Sequence, residues 1–472
     1  MAVAGIPKRP ARLDERMSQT VISTIRVGRS TDATPAQPAP PLTWLDALAA
    51  ILLVGNLTMG RSFAHLGVPP LYVNELSLAL FLLARIGSWP AEWLGAMMRP
   101  GPLTALTWSI TLSGIYGLIQ CARGIDAGYD RTVALQDLLF HFYPLFIFLG
   151  LWVSAGHKDF LARILLPLAW VHGIYGIAYM AVLHDIGSDN LEPGQAGWFG
   201  DPIGSAIILL GILSLEAPLR RVWLPALLNL GVLLALQVRA ELLALAVGFV
   251  LWSFLSRQLP RALGIGLVCL ILFVIVTILD IRIESSGTRG GEISARALIG
   301  KALAPVAPET AKAYKRDADD DADTAAWRTG WWGAIWDKVH RTPAHALFGL
   351  GYGYPIWDLH PQGLVFNLRT PHNAFIYALG HTGWIGVLIF AALQLALGRL
   401  LWRAYRLSRQ PFGVCVWLML LAKGIFENFF ETPFNAIPFY LITGMALGQL
   451  FGPADAAYDP GQIKADETLA IL

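Results

Sequence analysis

Charge is what this sequence has least of. Only 14% of its 472 residues are Asp, Glu, Lys or Arg, while 55% are hydrophobic; ordinary soluble domains carry roughly 25% charged residues. A chain of this length folded in water makes two or three domains, each with a polar shell, and the residues for such shells are missing. Its mean hydropathy is +0.53. Cysteine is scarce as well. Cys121, Cys269 and Cys415 each fall within or at the end of an apolar block, without the paired spacing of a disulfide framework or a zinc site. No apolar stretch closely follows Lys8, Arg9, Arg12 and Arg16, which argues against a cleavable signal peptide. No internal repeat is visible, so the symmetry of many transporters has no counterpart here. The formal net charge of +2 carries no information about partners, and nucleic acid is not expected among them.

What the chain does have is apolar blocks of roughly 17–25 residues, the length a helix needs to cross about 30 Å of hydrocarbon. A helix also satisfies its own backbone groups inside lipid. The blocks predict spans over 43–59, 71–87, 103–121, 133–153, 160–183, 201–217, 222–237, 240–255, 262–281, 374–400, 412–428 and 434–451. The expected fold is all-α, a polytopic transmembrane bundle of about twelve spans. Basic residues in short loops set the orientation. Arg220 and Arg221, Arg257 and Arg261, and Arg399, Arg403, Arg406 and Arg409 fall in alternate loops. Both termini are then cytoplasmic, with the acidic loop 184–200 on the other side; Arg123 and Arg131 run against this assignment. Domain organisation follows. Residues 1–42 form a disordered cytoplasmic tail, 43–281 a bundle of about nine spans, 282–372 a long outer loop with short helices, 373–451 about three more spans, and 452–472 a second cytoplasmic tail.

Polar groups at the outer ends of spans come next, because intramembrane charge is costly and usually functional. Arg239 lies in VRAELLAL, at the tight turn between two spans. It can snorkel to headgroups. Alternatively, a guanidinium pinned at a helix N-terminus forms a phosphate site. In the long loop, WRTGWWGAIWDKV reads as an amphipathic helix, with Trp327 and Trp331 in one i, i+4 series and Arg328, Trp332 and Trp336 in another. Such a helix can lie on the membrane, or present Arg328 to a substrate while tryptophans stack on sugar rings. Gly349, Gly351 and Gly353 permit a tight turn, without the strand–helix context of a dinucleotide site. Pro371 ends one segment, Asn373 is suited to cap the next span, and His372 between them is suited to proton transfer near neutral pH. Arg131 and Arg369 share that side of the membrane. The acidic run 317–323 lacks the glycine and terminal glutamate of an EF-hand and reads as a solvated linker. Lys423 and Glu427 have the spacing of a helical ion pair.

Three stretches together resemble the O-antigen ligase/polymerase superfamily of bacterial membrane glycosyltransferases. GQAGWFGDPIGSAIILL resembles the family's Gly-x-Phe-Gly-Asn-Pro-Asn segment, with Asp201 and Ile203 in place of the asparagines. VRAELLAL is similar to its Ser-Arg-Gly-Ala run, with Val238 for Ser and Glu241 where a small residue is common. WRTGWWGAIWDKVHRTPAHALFGLGYGYP followed by PHNAFIYALGHTGWIGVL resembles its loop arginine, Gly-x-Gly stretch and His-Asn helix start. The resemblance covers roughly residues 185–400. It implies a metal-independent, cofactor-free glycosyltransferase of the bacterial inner membrane, with loop 282–372 periplasmic. The implied donor is an undecaprenyl-pyrophosphate-linked glycan; the acceptor is a glycan, lipid A-core or a protein. The implied catalytic residues are Arg239, Arg328 and His372, with Arg131, Arg369, Asn373, Trp327, Trp331 and Trp332 expected to contact substrate. A ligase and a repeat-unit polymerase both fit the motifs, and family frequency leans to the ligase. A transporter predicts charges near the midplane, and an export scaffold predicts that Arg239 and His372 are dispensable.

Overall fold

The computed structural model describes residues 41–180 except 70 and 158, and then 203–214, 219–236, 238–285, 291–304, 307–314, 318–360 and 370–450. Helices dominate these residues. In chain order they are α1 (Trp44–Ala64), α2 (Val73–Ala84), α3 (Trp89–Met98), α4 (Thr104–Asp126), α5 (Arg131–Leu138), α6 (Phe146–Gly156), α7 (Phe160–Ala178), α8 (Ile203–Ser214), α9 (Leu219–Leu236), α10 (Arg239–Leu255) and α11 (Leu259–Ile278). The long loop contributes α12 (Ala295–Leu303), α13 (Pro308–Lys312), α14 (Ala318–Val339) and α15 (Pro343–Phe348). The chain then forms α16 (Ala374–Ser408), α17 (Phe412–Gly424) and α18 (Pro433–Leu447). Two small antiparallel hairpins accompany them, β1 (Gly67–Val68) with β2 (Leu71–Tyr72) and β3 (Ile283–Ser285) with β4 (Gly291–Ile293).

Each apolar block coincides with a helix, and block 133–153 takes in α5 and α6, joined through two 3-10 turns. Length separates these helices. Five segments are long and apolar enough to cross a membrane: α1, Arg131–Gly156, α7, α11 and α16. Helices α2, α8, α17 and α18 are apolar but shorter, so the number of crossings is not given by the helices alone. Helix α3 was not expected from the apolar pattern. The clearest membrane signature is α11, with only 6% of its apolar window buried. Leu263, Leu267, Leu270 and Ile278 are all exposed on it, far more apolar surface than a water-facing helix tolerates.

The main core joins α1, α6, α8, α16, α17 and α18 around Leu53, Phe146, Leu397, Met419, Phe430 and Tyr440. Helix α1 starts with a capping box, Thr43 accepting from the Asp46 amide while Asp46 accepts from Thr43; this satisfies donors that a helix start otherwise leaves open. Helix α16 is the longest element, with 35 residues, or about 52 Å. It breaks at Gly383, where φ is +65°. Beyond the break, Trp384 and Trp402 are both exposed. They lie about 27 Å apart along the helix, close to the separation of the aromatic belts of a bilayer.

The segment after α15 is fastened to this break. Leu350 N–H donates to the Gly380 carbonyl at 2.9 Å and Gly351 N–H to the His381 carbonyl at 3.0 Å. His381 Nδ1–H returns a bond to the Gly351 carbonyl at 2.9 Å. Gly349 and Gly383 face each other here with φ of +69° and +65°. A Cβ on Gly349 overlaps the backbone of His381 and Thr382, and one on Gly383 overlaps that of Leu347 and Gly349. Arg123 of α4 adds a bond to the Phe348 carbonyl at 2.8 Å. The joint therefore admits no side chain at either position. Gly349→Ala and Gly383→Ala are each expected to lower stability by about 1–3 kcal/mol, the usual cost of overpacking, measured as thermal unfolding in detergent.

Candidate functional site

Helix α14 carries the two tryptophan series on two faces. Trp331, Ile335 and Val339 are completely buried and pack with Leu350, Ile356, Tyr377 and Leu379. Trp331 Nε1–H donates to the Ile356 carbonyl at 2.8 Å, so its ring and its donor are both committed to the core. Trp332 Nε1–H donates to the Pro371 carbonyl at 2.6 Å, tying α14 to the segment just before α16. Trp327 stays partly exposed; the Arg328 guanidinium carbon lies 5.7 Å from the centre of its ring and the His372 ring 6.1 Å away. Trp336 is exposed and stacks on His340 at 4.1 Å.

One carboxylate gathers the polar residues. Glu427, in the turn between α17 and α18, accepts from Arg328 Nη2 through Oε1 at 3.4 Å and from His372 Nδ1 through Oε2 at 3.0 Å. Arg328 Nη1 also donates to the Phe426 carbonyl at 2.9 Å. The three side chains are 19%, 15% and 10% exposed for Arg328, His372 and Glu427, so each keeps a small part of its surface open to a ligand. Among the described residues the buried Arg328 Nε–H has no acceptor, and an acceptor brought by a ligand would relieve a cost of about 1–3 kcal/mol. With Nδ1–H donating to the carboxylate, a neutral His372 presents Nε2 as the base. His372 itself has a φ of +52°, a conformation costing on the order of 1–3 kcal/mol for a non-glycine residue and found mostly at functional sites.

Asn373 caps α16 as expected, its Oδ1 accepting from the Phe375 and Ile376 amides at 2.9 and 3.0 Å. Arg239 opens α10 and donates to the Lys301 carbonyl of α12 at 3.0 Å. Arg131 is exposed at the start of α5 and makes no ion pair among the described residues. Arg369, Asp201 and Asp317 lie outside the described residues, as do the side chains of 318–323. Lys423, expected to neutralise Glu427 along its own helix, reaches across to Glu241 of α10 at 3.0 Å. Glu427 is the site residue that spacing missed, because its partners come from segments 55 and 99 residues away.

Residues 224–391 match the family model described as O-antigen ligase. Over this segment, about a third of the chain, the sequence is similar to the O-antigen ligase superfamily. No curated protein matches the chain. The matched segment contains Arg239, Arg328 and His372, whereas Glu427 and Lys423 lie beyond its end. The match and the apolar helices together support a multi-pass membrane protein with a glycan-processing function.

A second carboxylate, Glu431, follows Glu427 by four residues in the same non-helical connection. Both oxygens of Glu431 are buried, and among the described residues the nearby backbone amides reach them only with poor hydrogen-bond geometry. Burial pushes its carboxyl up to about 8; the Glu427 charge adds to the rise, and the backbone amides of residues 429–431 oppose it. An acid whose folded pKa is raised favours the folded state while protonated. Its stabilising contribution is complete below about 4.5, declines as the pH rises, and is lost beyond about 8. Glu431→Gln should therefore melt above the wild type at pH 8.5 and lose the difference at pH 5, a comparison made by thermal unfolding in detergent across that range.

Proposed function

We propose that the protein transfers a glycan from undecaprenyl pyrophosphate to an acceptor hydroxyl on the periplasmic face of the inner membrane, in the manner of an O-antigen ligase. The observation that carries this reading is the Arg328–Glu427–His372 group. It sets a cation with an unused buried donor beside a base held in one orientation by a carboxylate. In the transfer, the acceptor oxygen bonds to the anomeric carbon and its proton passes to His372 Nε2. The bond from that carbon to the pyrophosphate oxygen breaks, and its electron pair leaves with the pyrophosphate. Arg328 and Arg239 stabilise the charge that builds on the leaving group. Two guanidiniums suit this task, since each offers a planar fork of donors to phosphate oxygens. Glu427 keeps the His372 ring turned and balances the proton it gains, a positioning role. Trp327 offers a ring face for a sugar beside the base. On this reading both termini are cytoplasmic.

The test is the lipid-linked glycan profile of a deletion strain complemented with the wild type, Arg239→Ala, Arg328→Ala or His372→Ala at equal membrane levels. Each variant is expected to lower transfer by about 10²–10³-fold, as loss of one charge-stabilising group does elsewhere, and to accumulate undecaprenyl-linked glycan like the deletion. Long accumulated chains identify a ligase; single repeat units identify a polymerase. Wild-type profiles from all three variants would remove the site and leave transport or scaffolding as the function.

A further inference from the structure

We infer that the buried ion pair between Glu241 and Lys423 is a positioning clasp that holds Arg239 in register with the Arg328–Glu427–His372 group. The inference rests on the transfer reading above and adds two residues to it. Lys423 Nζ meets Glu241 Oε1 at 3.0 Å, with the side chains 0% and 2% exposed. Breaking such a pair leaves an uncompensated charge, yet keeping it is weak evidence for stability, because well-packed apolar residues often do as well in its place. Its placement supplies the missing reason.

Glu241 stands two residues after Arg239 in the first turn of α10. Lys423 stands in the last turn of α17. The Lys423 carbonyl accepts the amides of Phe426 at 2.8 Å and Glu427 at 3.0 Å, and its ammonium lies 5.5 Å from the Phe429 ring centre. The Lys423 backbone thus anchors the turn that carries Glu427, while its side chain grips the turn that carries Arg239. Farther along both helices, beyond the pair, they remain closely packed, since a Cβ on Gly248 meets the Met419 sulfur at 3.1 Å. A chain of bonds then runs from Arg239 through Glu241 and Lys423 to Glu427 and its partners. Displacing one group by about 1 Å can cost a reaction 10²-fold, so a fixed spacing across the two helices has a direct use in the transfer.

The experiment uses the purified full chain and the undecaprenyl-linked glycan that accumulates in the deletion strain. It compares the wild type, Glu241→Gln combined with Lys423→Met, and Arg239→Ala. The double variant removes both charges at nearly constant shape. The clasp predicts a kcat lowered at least tenfold, a donor KM changed less than threefold, and a melting temperature close to that of the wild type. A wild-type kcat in the double variant, beside an inactive Arg239→Ala, overturns the clasp and leaves the site intact. An active Arg239→Ala overturns the transfer reading itself. Should the double variant not accumulate, Glu241→Asp decides: it keeps the charge pair but shortens one arm by a methylene. A several-fold loss of kcat without loss of melting temperature then supports the clasp, and an unchanged kcat overturns it.

Discussion

The arrangement of the site depends on a backbone-to-backbone joint. Residues 349–351 run against the break in α16 closely enough for two main-chain hydrogen bonds, with a third from the His381 ring, and leave no room for a Cβ at Gly349 or Gly383. Helix α14 packs on both partners of that joint, through Leu350 on one side and Tyr377 and Leu379 on the other. Arg328 and His372 therefore reach Glu427 from elements already locked together. A joint made by side chains alone would leave rotamers to order. One made by main chain at positive φ leaves almost none, at the conformational cost that only glycine bears easily.

A second layer of buried polar groups keeps the joint in place. Asp137 accepts from the Gly353 amide at 2.9 Å and from the Tyr377 hydroxyl at 2.8 Å. Tyr352 shares a hydrogen bond with His141 at 2.6 Å, and His141 shares one with Ser113 at 2.7 Å. These residues come from α4, the α5 region, the glycine segment and α16. A polar network in an apolar bundle is costly unless satisfied, and a satisfied one specifies a single packing. Strain at His372 fits the same picture. Bonds from Trp332 to Pro371 and from His372 to Glu427 flank the strained residue and hold it.

Much of this was legible from local chemistry. Helix positions followed from apolar block length, the Asn373 cap from its place after Pro371, and the two faces of α14 from i, i+4 spacing. The positions of Arg239, Arg328 and His372 came from ordered motifs. What stayed hidden depends on distant partners. Spacing gave Lys423 and Glu427 to each other, because a helix presents such neighbours first. The fold offers Lys423 a carboxylate on another helix and gives Glu427 an arginine and a histidine from remote segments. Spacing put Trp331 and Trp332 in different series but expected both to contact substrate, and only packing shows one buried in the core and the other bridging to Pro371. The break at Gly383 was equally silent, since a glycine in an apolar helix signals close contact as readily as a kink.

Glu427 is one carboxylate shared by an arginine and a histidine, and that has a thermodynamic consequence. An anion that draws Arg328 away from Oε1 alters how firmly Oε2 holds His372. Occupancy at the arginine and the state of the histidine are then linked variables, and linkage is reciprocal. Whatever free energy a bound anion transmits to the histidine, a ligand engaging the histidine transmits back to the anion. On the proposed transfer, an anion at Arg328 and an acceptor at His372 would sense one another through this single carboxylate.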